Sequence, residues 1–199
     1  MATVIVPFRS SDPKRRLAAL AADDRVRLAE AMLADVLEAA APIGPLLVVA
    51  PGIPPRLREE ARHVADPGRG QGAAVRAGLD AAAAGGLPAP FVVANADLPC
   101  ATTRDLLALA GAVPDRGLAF VAAADGTTNA LALSDGALFE PVYGPGSAAR
   151  FAALAESRAL DAPNLMDDVD TLDDLVRLGA RLGGHTRRML AVLRLETAA

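Results

Sequence analysis

Short apolar runs alternate with amphipathic stretches along most of this chain, and that alternation is the strongest constraint on how it folds. Val4-Ile5-Val6, Leu46-Leu47-Val48-Val49-Ala50, Phe91-Val92-Val93-Ala94 and Gly117-Leu118-Ala119-Phe120-Val121 read as strands with no polar face. Such strands belong in a largely parallel sheet covered on both sides. Residues 24–40 carry Leu28, Met32, Leu33, Val36 and Leu37 at helical spacing, and residues 72–84 carry Val75 and Leu79 before Gly85-Gly86. Thr102 with Asp105, and Thr171 with Asp174, have capping-box spacing ahead of further apolar runs. A short helix is expected over 56–62, a short strand over 63–65, and a helix from Ser147 to about Glu156. Residues 130–133 continue the sheet, with an antiparallel run as one option. No repeat or linker interrupts the pattern, so residues 1–199 are expected to form a single α/β domain.

Composition removes several classes of function. Apolar residues make up 52% of the chain, yet none of its stretches approaches the roughly 18 apolar residues of a membrane span. The opening Met-Ala-Thr-Val-Ile-Val-Pro lacks a basic leader and runs straight into a strand. Cys100 is the only cysteine, so a reducing cytoplasm is the expected compartment. A net charge of −4, one Tyr and no Trp argue against a nucleic-acid partner. Two histidines and one cysteine without ligand spacing argue against zinc, and His63 and His185 read as surface or packing residues.

Two acidic motifs carry most of the chemistry. Asn95-Ala-Asp97-Leu-Pro99 follows the strand at 91–94, which puts Asp97 at a strand's carboxyl end, where open α/β sheets bind their ligands. In Asp168-Val-Asp170-Thr171, residues two apart in an extended segment project to one side. Asp97, Asp168 and Asp170 together would hold a hard cation such as magnesium. Each motif alone also fits a plain loop or a helix entry.

Basic residues are nineteen Arg and a single Lys, and that lysine, Lys14, follows the first strand in Arg9-Ser-Ser-Asp-Pro-Lys14-Arg15-Arg16. Such a loop suits a triphosphate, although it has no Walker pattern and a solvated basic loop looks much the same. Gly144-Pro-Gly-Ser147 ahead of a helix suits an anion, with Ser147 expected as the cap; an ordinary capped turn has the same residues. Thr127-Thr128-Asn129 adds hydroxyl and amide donors, and Gly68-Arg-Gly-Gln71-Gly72 exposes backbone that a nucleotide base can lie along.

Taken in order, Val6-Pro-Phe-Arg9 with Lys14-Arg-Arg-Leu17, Leu28-Ala-Glu-Ala-Met32, Ala94-Asn-Ala-Asp97-Leu-Pro99, Thr128-Asn-Ala-Leu131, Tyr143-Gly-Pro-Gly-Ser147 and Asp168-Val-Asp-Thr171 resemble the 2-phospho-L-lactate and phosphoenolpyruvate guanylyltransferases of coenzyme F-420 biosynthesis. The resemblance implies a Rossmann-like α/β/α sandwich of the GT-A nucleotidyltransferase type. It implies transfer of GMP from GTP to a phosphorylated three-carbon acid, with magnesium on Asp97, Asp168 and Asp170. It further implies Lys14 at the nucleotide phosphates, and Thr128, Gly144 and Ser147 at the acid. Functional coupling to the downstream transferase of the pathway is implied too. Gln71-Gly72 stand at the base pocket where the family often reads Leu-Asn, Arg9 stands where lysine is common, and Cys100 replaces an aliphatic residue. Other readings are a molybdopterin guanylyltransferase or cytidylyltransferase, which usually opens with a Gly-rich loop absent here, and an inactive nucleotide-binding regulatory module.

Overall fold

The computed structural model describes residues 1–9, 17, 19–55 and 57–195. Within them seven strands form one sheet: β1 (Thr3–Pro7), β2 (Leu46–Ala50), β3 (Ala61–Ala65), β4 (Phe91–Ala94), β5 (Gly117–Ala122), β6 (Thr128–Leu133) and β7 (Glu156–Ala159). They lie side by side in the order β3-β2-β1-β4-β6-β5-β7. The pairs β1–β2, β1–β4, β2–β3 and β5–β7 are parallel, and β6 runs antiparallel to both β4 and β5.

The apolar strands explain the layering. β2 and β4 are buried at every position, so both sheet faces need cover. Helices supply it: α1 (Ala22–Ala40), α2 (Gln71–Ala84), α3 (Thr103–Gly111), α4 (Ser147–Ala152), α5 (Pro163–Met166), α6 (Leu172–Leu178) and α7 (Gly184–Val192). Val6, Val48 and Val92 join Leu28, Met32, Leu106, Leu175 and Leu190 in one core beneath α1, α3, α6 and α7. Ile5, Leu47 and Val93 join Val75, Leu79, Phe139 and Phe151 in a second core beneath α2 and α4. Neighbours Ile5 and Val6 serve opposite cores because successive strand side chains alternate faces. Burying each such side chain stabilises the fold by about 1.5–3 kcal/mol. The result is the expected α/β/α sandwich.

The chain lays β1, β2 and β3 outward in one direction, then returns to place β4 on the other side of β1. Connections leave β1 and β4 toward opposite sides, which opens a crevice at their carboxyl ends. No helix among the described residues is long and apolar enough to cross a membrane.

Several elements differ from the sequence expectation, among them α5 and β7, which it did not contain. Residues 57–60 form turns, with Leu57 N–H donating to Pro54 O and Ala61 N–H to Arg58 O, both at 3.0 Å, and β3 starts at Ala61. Leu57 is the only apolar residue in 57–60, so a helix there has no stripe to bury, and short helices need one. The helix at Ser147 ends at Ala152, because Glu156–Ala159 leaves to pair with β5 as an edge strand. Helix α7 was not anticipated at all.

Candidate active site

β4 ends at Ala94, and Leu98, fully buried, anchors the turn that follows, leaving Asp97 half-buried at the carboxyl edge of the sheet. Between α5 and α6, Val169 is also fully buried and donates its N–H to the Asp97 carbonyl at 3.1 Å. That bond lays the second acidic motif beside the first. Asp168 and Asp170, flanking the buried Val169, project together. One carboxylate oxygen each from Asp97, Asp168 and Asp170 lie within 4.8 Å of one another.

The loop bearing this pair is braced at both ends. Asp174 Oδ2 accepts from Thr171 Oγ1 at 2.8 Å, Thr171 N–H at 2.9 Å and Asp170 N–H at 3.1 Å, the capping box of α6 extended by one donor. Asp167 accepts from Arg177 at 2.7 Å and Arg181 at 2.8 Å. Burial works against ionising Asp167 and Asp174. Hydrogen bonds from Arg177 and Arg181 to Asp167, and from Thr171 and Arg177 to Asp174, outweigh it and hold both carboxyls below the ordinary range. Asn129, buried on β6, donates from Nδ2 to Met166 O at 3.0 Å and to Asp168 Oδ1 at 3.4 Å.

Thr128 precedes Asn129 on β6, and Ser147 Oγ donates to Thr128 Oγ1 at 3.1 Å, with both residues buried. Ser147 does not cap α4, contrary to expectation. Gly146, at φ 72°, occupies the cap position, and the Ser147 side chain is spent inward on Thr128. Gly144 at φ 110° and Gly146 both lie in the left-handed region, which costs other residues about 1–2 kcal/mol. Arg150 on α4 wraps this loop, donating Nε to Val142 O at 3.0 Å and Nη1 to Pro145 O at 2.8 Å. Sequence reading missed Arg150 because its partners are backbone carbonyls, which leave no mark in a sequence.

Gln71 opens α2 and donates Nε2 to Asn95 Oδ1 at 2.7 Å, while Asn95 Nδ2 donates to Thr128 O at 3.4 Å. Gly72 faces Pro141, since a Cβ there would lie 2.5 Å from the proline Cβ. Its bare backbone therefore serves close packing of α2 against the segment that leads into the Gly144 loop. Lys14 lies outside the described residues.

A second cluster meets the same distance criterion: Asp35, Glu38 and His185, again within 4.8 Å. Here the chemistry is different. Asp35 is 5% exposed, and its two oxygens accept from the N–H groups of His185 at 2.8 Å and Thr186 at 2.9 Å. It caps α7 from α1, placing negative charge where that helix's free N–H groups favour it. Gly183 makes room, since a Cβ there would sit 2.2 Å from the Asp35 carboxyl carbon. His185 Nε2 pairs with Glu38 Oε2 at 3.3 Å.

The MobA-like NTP transferase domain profile matches residues 18–166. A phosphoenolpyruvate guanylyltransferase from Sphaerobacter thermophilus is 38% identical, over 91% of this chain and 92% of its own. A 3-phospho-D-glycerate guanylyltransferase from Phenylobacterium zucineum is 34% identical, over 98% of this chain and 97% of its own. Among solved structures, a Desulfovibrio desulfuricans protein described as a nucleotide-diphospho-sugar transferase superposes with a TM-score of 0.74 at 19% identity, covering 97% of each chain, which supports the GT-A-like fold. The chain belongs to the MobA-like NTP transferases and, within them, to the family of the phosphoenolpyruvate and 2-phospho-L-lactate guanylyltransferases.

Proposed function

We propose that this protein transfers GMP from GTP to the phosphate of a three-carbon phospho-acid, phosphoenolpyruvate or 2-phospho-L-lactate, with release of pyrophosphate, in coenzyme F-420 biosynthesis. The observation that carries this is the meeting of Asp97, Asp168 and Asp170 at the carboxyl edge of the sheet. The donor set contains carboxylates and neither thiolate nor imidazole, which suits a hard divalent cation such as magnesium. Bound there, magnesium would neutralise charge on the two phosphate-bearing substrates.

The rest of the task falls to the chain. An oxygen of the acceptor phosphate attacks the α-phosphorus of GTP and forms the new P–O–P bond. The bond from that phosphorus to the β-phosphate oxygen breaks, and its electron pair leaves on pyrophosphate. The acceptor phosphate is already ionised near pH 7, so the site needs no general base, only alignment and charge balance. Thr128 and the Gly144–Ser147 loop hold the acceptor, and Gln71-Gly72 lie along the nucleotide base. Lys14 steadies the departing pyrophosphate. The product is a mixed phosphoric anhydride, an activated donor for a downstream transferase.

Pyrophosphate release should be measured with each nucleoside triphosphate against phosphoenolpyruvate, 2-phospholactate and 3-phosphoglycerate. Turnover with GTP and phosphoenolpyruvate or 2-phospholactate is expected, with phosphoenolpyruvate slightly ahead. Turnover only with 3-phosphoglycerate would shift the acceptor to that of the Phenylobacterium relative. Nucleotide binding without turnover would point to a regulatory module.

A further inference from the structure

We infer that Asn129 is a positioning residue that sets the spacing between the two acidic motifs, an inference that rests on the proposed metal role of Asp97, Asp168 and Asp170. Asn129 touches both limbs of the site. Its main-chain carbonyl accepts from Asn95 N–H at 3.0 Å, which registers the Asp97 turn against the start of β6. Its side-chain amide reaches the other way, to Met166 O at 3.0 Å and Asp168 Oδ1 at 3.4 Å.

The chemistry explains why an amide stands here. A carbonyl and a carboxylate can only accept, so both contacts need a donor with two hydrogens on one atom. Asn129 is 3% exposed, so water cannot readily replace a lost bond. A hydroxyl offers one hydrogen and an acid repels both partners. The strand supplies rigidity, since β6 is paired on both edges and buried at all six positions. The aligned amide thus fixes one carboxylate of the cluster from a framework that also fixes the turn bearing another. Partners of this kind, behind a metal's own ligands, typically change metal affinity or activity by 10–100-fold when removed.

The test is a titration of the full chain with Mn2+ alone, followed by electron paramagnetic resonance, for wild type, Asp168→Asn and Asn129→Leu. Leucine keeps asparagine's heavy-atom count and branching at Cγ and deletes both donors. Asp168→Asn is expected to weaken Mn2+ binding most, and Asn129→Leu to weaken it by about tenfold or more. The Asn129→Leu deficit in kcat/KM should also shrink as magnesium is raised, which a purely structural lesion would not do. Should the leucine variant not fold, Asn129→Ala, which also deletes both donors, carries the same expected weakening. Unchanged Mn2+ affinity at position 129, with Asp168→Asn impaired, overturns the positioning role while leaving the metal site standing. Unchanged affinity in Asp168→Asn as well removes the metal site and the inference together.

Discussion

Among the described residues, two clusters bring three metal-capable side chains within the same 4.8 Å, and they have opposite characters. At Asp35, Glu38 and His185 the central carboxylate is buried, and both its oxygens are engaged by the first N–H groups of α7. At Asp97, Asp168 and Asp170 each member is half-buried, and the bracing bonds run largely through the backbone: Val169 N–H to Asp97 O, and Asp170 N–H to Asp174. The first cluster closes a helix end. The second presents carboxylates where the sheet's topology opens a crevice. Proximity of acids therefore says little; how deeply each acid is buried, and whether it stands at the carboxyl edge of the sheet, says much more.

The largest difference should appear in turnover. Asp168→Asn and Asp170→Asn are each expected to lower kcat by about 10²-fold or more at saturating magnesium, the usual scale for lost electrostatic stabilisation. Asp35→Asn should leave kcat within a few-fold of wild type. Near-normal kcat in both active-site variants would erase the contrast.

Stability should move the other way. Asp35→Ala removes a buried cap and orphans two N–H groups, a loss of about 2 kcal/mol. In a chain of this length that lowers Tm by about 4–8 °C. Asp168→Asn should shift Tm much less, as differential scanning calorimetry would show. Equal shifts would mean that both clusters are structural.

A smaller effect concerns the loop proposed to hold the acceptor. Ser147→Ala deletes the hydrogen bond that holds the Thr128 hydroxyl, so the acceptor KM should rise several-fold with that for GTP nearly unchanged. If GTP alone weakens in steady-state assays, the loop serves the nucleotide.

Cys100 provides the finest probe, because it feels Asp35 of the first cluster and Asp167 and Arg181, which brace the loop bearing the second. Burial pushes its thiol up to about 11; Arg181 opposes the shift, while Asp167 and Asp35 add to it. At pH 8.5 the thiol stays protonated, so iodoacetamide should react about 10²-fold more slowly than with a free cysteine. Asp35→Ala, by loosening α7, should raise that rate several-fold, and Asp170→Asn should not.

Much of the fold was legible because strands buried on both faces leave uniform apolar runs, and helices such as α1 leave a stripe. β7 left no such trace: Glu156, Arg158 and Ala159 are exposed on an edge strand, where neither face demands apolar residues. α7 hid for another reason, since its cap is Asp35, about 150 residues away, rather than a local Ser or Thr. In the site, Asp97, Asp168 and Asp170 could be named because acids at a strand end and two apart in an extended segment are local patterns. Asn129 was named only as an amide donor in a loop and Arg150 not at all, since their partners are ones that only the folded chain brings near. Gly72 was read as backbone that a nucleotide base lies along; its packing against Pro141 came only from the structure.

The most direct test is to locate the metal itself. Crystals grown with Mn2+ and a non-hydrolysable GTP analogue should give an anomalous difference peak among Asp97, Asp168 and Asp170, and none beside Asp35. A peak among Asp35, Glu38 and His185, with the Asp97 cluster blank, would contradict the account.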